Sequence, residues 1–207
     1  MKFIKRNLDR IVLGIVLLSL IGILIFYLFD TLKKDEEVPE AKKVDEIVEF
    51  GYKLKESDSE LYHSLFSDLK GVLSEKNIDY DQYAEKLACL FIIDFYTLNN
   101  KITNMDIGGV QYLYSKIKDN FILKATDTIY KNVKSNIYGD RNQELPIVSN
   151  VVLKSSKNIT FEYGDLKDSN AYEIVVNVQY EKSMDYPTEV KLTIVHEGNK
   201  LVIIEVN

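Results

Sequence analysis

Val190-Lys-Leu-Thr-Ile-Val-His-Glu-Gly-Asn-Lys-Leu-Val-Ile-Ile-Glu-Val206 is the stretch on which the fold turns. Val190, Leu192 and Ile194 face away from Lys191 and Thr193, the period of two that makes one side of a strand apolar. Glu197-Gly198-Asn199-Lys200 is a tight hairpin signal, and Leu201 to Val206 is apolar enough for a central or doubly covered strand. Working backwards, Tyr172, Ile174, Val176, Val178 and Tyr180 alternate in the same way, as do Ile159, Phe161 and Tyr163. Everything after Pro146 therefore predicts an antiparallel meander.

Before Pro146 the period is mostly 3.6. Ser57-Asp58-Ser59 supplies capping oxygens for a helix whose stripe is Leu61, Leu65, Phe66, Leu69, Val72 and Leu73. Asp79 or Asp81 caps a second helix, with Ala84, Leu87, Ala88, Phe91, Phe95 and Leu98 inward. Gly108-Gly109 precedes a short helical piece through Tyr112, the glycines giving close helix-to-sheet approach, and a third full helix is expected over Asp119 to Lys134. Val48, Phe50, Tyr52 and Leu54 alternate with Glu49, Gly51, Lys53 and Lys55, which predicts one half-buried strand. Helices grouped first and strands last predict an α+β domain over 45–207, three helices on one face of a curved antiparallel sheet.

The N-terminal part carries the prediction of location. Nineteen uncharged residues, Ile11 to Phe29, would reach roughly 28 Å as a helix, near the thickness of a bilayer's hydrocarbon core. Lys2, Lys5, Arg6 and Arg10 precede the run and Asp9 alone opposes them, so the positive-inside bias puts the leader, 1–10, in the cytoplasm and the C-terminal domain outside the cell membrane. A cleavable signal peptide has a shorter apolar core and a small-x-small site, which Phe29-Asp30-Thr31-Leu32-Lys33 lacks. A transmembrane anchor at 11–29 in contact with membrane lipid is therefore expected, followed by a charged linker at 30–44 that contains Pro39.

Setting aside the four leader cations and Asp9 leaves 22 basic and 31 acidic residues, a net charge of −9. Such a domain is expected to be repelled by nucleic acid and by anionic lipid headgroups, and with Arg6, Arg10 and Arg141 the only arginines it is poorly equipped for phosphate backbones, so no nucleic-acid partner is expected. Cys89 is the single cysteine and reads as a small buried hydrophobe. His63 and His196 lack a ligand spacing, and the acidic pairs Asp79/Asp81 and Asp165/Asp168 lack the glycine and distal glutamate of a calcium loop, so neither metal nor cofactor is expected. Tyrosine is abundant at fourteen residues; some of Tyr112, Tyr114, Tyr130 and Tyr138 could form an interface, with burial in the core the simpler account.

Tyr83-Ala-Glu-Lys-Leu-Ala88, Phe91-Ile-Ile-Asp-Phe-Tyr96, the glycine turn at Gly108 and the closing hairpin together resemble the nuclear transport factor two-like superfamily, over Asp45 to Asn207. That resemblance implies a cone in which three helices close over a bent sheet. A single membrane pass before such a domain is similar to the membrane scaffold subunits of type IV secretion and Gram-positive conjugation machines, although the Asn-Pro-x-Gly motif of the Gram-negative subunits is absent. It implies a non-catalytic protein that binds partners or itself in an envelope complex. The alternative is a tethered enzyme or small-ligand binder using the cone. Its candidate catalytic residue is Asp94, about 50° from the middle of the second helix's stripe, where an apolar cavity would raise its pKa toward that of a general base. The bland account of Asp94 is a hydrogen bond to a backbone or hydroxyl donor, or an ion pair with Lys101. A cavity of several hundred Å³ lined by Asp94 and aromatics would favour the alternative, and a filled cone the scaffold.

Overall fold

A computed structural model describes residues 19–25 and 42–207. The chain divides into two units, Met1–Glu37 and Val38–Asn207. In the first, residues 19–25 are helical, with Leu20, Ile21, Ile23, Leu24 and Ile25 exposed. No helix among the described residues is long and apolar enough to cross a membrane; the rest of the expected span at 11–29, the leader and linker residues 30–41 lie outside them.

The second unit is α+β. A hairpin opens it, β1 (Lys43–Ile47) pairing antiparallel with β2 (Tyr52–Lys55). Lys43 and Val44, read in the sequence as the end of the linker, already belong to β1. Their charged surroundings are tied down instead, Lys70 to Asp45 at 2.6 Å and Lys43 to Glu46 at 2.5 Å. The single strand expected across Val48 to Leu54 is also corrected. Residues 48–51 turn, Gly51 at φ +66° lets the chain reverse, and Ile47 sits opposite Tyr52. Val48 is consequently 79% exposed while Phe50 is 2% exposed, although both hold apolar places in the alternation.

Two helices follow. Ser59 caps α1 (Glu60–Leu73) by accepting from the Tyr62 amide at 3.2 Å, and Asp79 caps α2 (Tyr80–Tyr96) by accepting from the Gln82 amide at 3.0 Å. The expected stripe of α2 is buried from Ala84 to Phe95, and Leu90, Ile92 and Ile93 are buried as well. The reason is position: α2 lies against α1 on one side and against the sheet on another. Short 3₁₀ turns at Val110–Tyr112 and Ser115–Ile117 lead into α3 (Lys118–Asp127). The third helix was expected to run to Lys134, but it ends at Thr128, whose ψ of −94° leaves the helical region. Tertiary bonding takes over there: the Tyr130 hydroxyl is drawn inward, donating to the Phe95 carbonyl oxygen at 2.7 Å.

The sheet is β3 (Val148–Tyr163), β4 (Leu166–Tyr180), β5 (Glu189–Glu197) and β6 (Lys200–Val206), antiparallel and in that spatial order. Register shifts in β3 at 148/150, 153/155 and 159/161 are bulges, where an antiparallel strand bends. Ile174, Val176, Leu192, Ile194, Leu201 and Ile203 face the helices in one core, while Ala171, Val195, Val202 and Ile204 form a smaller cluster on the other face. The last strand is doubly covered as expected, but it lies at the sheet's edge and not in its centre. Gly198, at φ +68°, makes the two-residue turn before it.

Candidate functional site: the Asp94 tie and the groove beside it

Asp94 lies in the last turn of α2, where the chain leaves the helix and doubles back across it through residues 97–113. Lys101 Nζ sits 2.5 Å from Asp94 Oδ1, and the Gly109 amide donates to Oδ2 at 2.7 Å. The two side chains are 5% and 14% exposed for Lys101 and Asp94. Burial alone would raise the Asp94 pKa, but the Lys101 ammonium and the Gly109 amide outweigh it and hold the carboxyl below its ordinary range. A carboxylate whose two oxygens are both engaged and whose proton affinity is lowered has the properties of a structural tie, not of a raised-pKa base. Of the partners considered from the sequence, a backbone amide and Lys101 are both present.

The glycine pair makes the tie possible. A Cβ on Gly108 would stand 2.1 Å from the Asp94 carbonyl oxygen, and one on Gly109, at φ +76°, would stand 2.6 Å from the Phe91 ring. The close approach expected of this pair is therefore to α2 and not to the sheet. Tyr130 completes the joint, its hydroxyl accepting from the Gly108 amide at 3.0 Å while donating to Phe95.

Tyrosine hydroxyls extend the polar interior. Tyr62 and Tyr112 share a 2.5 Å bond, with Gln111 Nε2 donating to the Tyr62 oxygen at 2.9 Å. Tyr52 and Tyr83 share another at 2.5 Å, and both engage the backbone of Leu201. All four rings are buried, which leaves their neutral form strongly favoured: burial pushes Tyr83 to about 12 and Tyr52, Tyr62 and Tyr112 well above the usual phenol range. Of the four tyrosines read as core, Tyr112 and Tyr130 are buried, Tyr114 is half-buried, and Tyr138 is 86% exposed, which corrects that expectation. Tyr138 is in the turn-rich segment after α3, where no helix carries it inward.

Asp94 also lines a groove of about 580 Å³ on the domain surface. It is lined by Lys42, Lys43, Lys53 and Lys55 from the opening hairpin and by Ile107, Gly109, Val110 and Gln111 from the segment after α2. Gln111 clamps the two walls together, accepting from the Lys53 amide at 2.8 Å and donating to the Lys53 carbonyl at 3.1 Å. This is not an aromatic-lined cone cavity. Beneath the sheet, the space is occupied by Tyr52, Tyr83, Phe91, Leu87 and their neighbours.

A second tie escaped sequence reading. His196 Nδ1 lies 2.9 Å from Asp168 Oδ2, and the same oxygen accepts the His196 amide at 2.7 Å. Burial would raise the Asp168 pKa, but the His196 bonds and the Asn170 amide lower it overall. The ionised carboxylate can only accept, so Nδ1 carries the proton, and the imidazole packs 5.3 Å from the Tyr80 ring. Twenty-eight residues of chain separate the pair, and only the register of β4 on β5 brings them together. His63 Nε2 is 3.2 Å from the Lys55 carbonyl oxygen, and Cys89 is half-buried with its thiol pushed by burial to about 11. No group of three or more histidine, cysteine, aspartate or glutamate side chains that could hold a metal occurs among the described residues.

No known protein family, curated protein or solved structure matches the chain.

Proposed function

We propose that the chain is a single-pass membrane protein, N-terminus cytoplasmic, whose extracytoplasmic domain binds other proteins or further copies of itself in an envelope assembly and catalyses nothing. The observation that carries the interaction is the outer edge of β3. This strand of sixteen residues has β4 on one side and no strand on the other among the described residues. Val152 and Leu153 are exposed along it and Tyr163 at its end. Beyond the Val148 amide, which donates to the Thr97 hydroxyl, such an edge is the template for strand addition, while the three bulges and Lys154 and Lys157 restrict which partner strand fits. The engagement of Asp94 by Lys101 and Gly109, and its absence from the aromatic pocket of about 420 Å³ that Phe95, Tyr96, Phe121 and Val206 line, favour this reading over the ligand-binding alternative.

The anchor half rests on the apolar run and its flanking charge, and on the exposed Leu20, Ile21, Ile23, Leu24 and Ile25 of the helical residues 19–25, an apolar surface that lipid would cover. Two measurements test the proposal. A membrane-impermeant maleimide should label Tyr138→Cys in intact cells, with the wild-type chain as the unreactive control because Cys89 is half-buried and its thiol is held protonated. Labelling only after lysis removes the extracytoplasmic assignment. A photo-crosslinker at Val152 should capture a discrete partner band, and one at Glu205 on the opposite edge should not. Equal capture from both sites, or none from either, removes the role of the β3 edge.

A further inference from the structure

The Asp94 tie leaves the groove above it with a charge of its own. Four lysines line it against one carboxylate, and that carboxylate is already held by Lys101 and Gly109. The surrounding sequence has the opposite sign, net −9 after the apolar run. The hairpin also sets Lys43 directly opposite Lys55, a cross-strand like-charge pair that costs stability unless something answers it. Glu46 answers in part, lying 2.5 Å from Lys43 Nζ. Among the described residues Lys42, Lys53 and Lys55 have no carboxylate within ion-pair distance, and all three are exposed beside the cavity.

We infer that this lysine-lined groove is a binding site for a phosphate group. Three ammonium groups without an ion-pair partner among the described residues, beside the Glu46-bound Lys43, match a multivalent anion better than a carboxylate, which brings a single charge. Lysine serves phosphate as a point-charge donor where no arginine fork is present. A volume of about 580 Å³ exceeds what phosphate alone would fill, so the ligand carries a body of glycerol or sugar size. The Gln111 clamp on the Lys53 backbone holds the walls at fixed spacing before any ligand arrives. Two sources share this chemistry: a lipid headgroup and a soluble phosphate ester. Residues 30–41 alone separate Lys42 from the apolar run, which favours the headgroup. That choice of source rests on the membrane reading; the phosphate site itself does not.

The test is titration of the full chain in neutral detergent with pyrophosphate, followed by calorimetry. Saturable binding that higher salt weakens, and that Lys53→Gln with Lys55→Gln reduces at least tenfold with an unchanged circular dichroism spectrum, supports the site. Absence of binding, equal affinity in the double variant, or equal binding of acetate overturns it. Repeating the titration in nanodiscs separates the sources. Phosphatidylglycerol, compared with phosphatidylcholine alone, should weaken pyrophosphate about tenfold if headgroups occupy the groove, and leave it unchanged if the ligand is soluble. Failure of the Tyr138→Cys labelling would leave the detergent titration untouched, so the two ideas fail separately.

Discussion

The two outer strands of the sheet are finished in different ways. The free side of β6 is closed by the segment after the glycine pair: Leu113 bridges Ile203 in parallel, and the Tyr114 amide donates to the Ile203 carbonyl at 2.8 Å. Leu201 to Ile204 are buried between the two clusters on the sheet's faces. Beyond Val148, whose amide donates to the Thr97 hydroxyl, the free side of β3 has no bridging segment among the described residues, and most of its side chains are exposed. What closes β6 is held by the Asp94 tie, since Gly109 is fixed to Asp94 only four residues before Leu113. The buried Asp94–Lys101 pair therefore lies at the root of the segment that covers the β6 edge.

The sharpest way to break that contrast is Lys101→Met. Removing one partner of a buried pair leaves an uncompensated charge, and a loss of about 3–5 kcal/mol is expected in chemical denaturation. Adding Asp94→Leu should restore all but about 1 kcal/mol, the remainder being the Gly109 amide left without its acceptor. If the double variant is no better than the single, the tie is not an ion pair in energetic terms. Hydrogen exchange on Lys101→Met should show the Tyr114 amide losing protection before the β3–β4 amides do; simultaneous loss would break the link to the β6 edge. Acid sharpens the same point. Because the folded Asp94 pKa is lowered, its stabilisation is complete above the ordinary aspartate value of about 3.9 and is lost as pH falls through the lower folded value. In Lys101→Met burial raises the Asp94 pKa instead, so the gap in stability between wild type and variant should begin to narrow above about pH 4 and go on narrowing as pH falls to the lower wild-type value.

Gly108→Ala comes next, at about 3 kcal/mol, because the added methyl meets the rigid Asp94 backbone; full stability would mean that the loop is free to lift. Tyr83→Phe should cost about 1–2 kcal/mol by unpairing Tyr52 and the Leu201 amide, read as a shift of the thermal midpoint. Val152→Lys should change stability by less than about 0.5 kcal/mol, yet abolish crosslinking from a probe placed at Leu153. Retained capture would show that partners do not add along β3.

Local chemistry made much of this architecture readable. Ser59 and Asp79 cap the helices they were expected to cap or to compete for, and the turn at Gly198 joins the strands that flank it in sequence. Readings failed where a distant group overruled a local pattern. Val48 and Phe50 share an alternation, but the turn at 48–51 sends one into solvent and the other into the core. The α3 pattern continues past Thr128 in the sequence, while Tyr130 is claimed by Phe95 and Gly108. At the site, Asp94 and Lys101 are seven residues apart and were pairable on paper. The four groove lysines were not, because Lys43 faces Lys55 only once Gly51 is recognised as the turn of a hairpin.

The pair formed by Tyr52 and Tyr83 has a direction. Tyr52 donates its proton to the Leu201 carbonyl and the Leu201 amide points at the Tyr83 oxygen, so the shared bond must be donated by Tyr83. Three groups thus hand protons around one closed circuit that ties the opening hairpin and α2 to the last strand. Neither phenol can ionise without opening it. Alkali therefore acts on this domain as a denaturant: the unfolded chain releases phenolic protons near pH 10 that the folded one retains, and phenolate absorbance should appear in step with loss of structure.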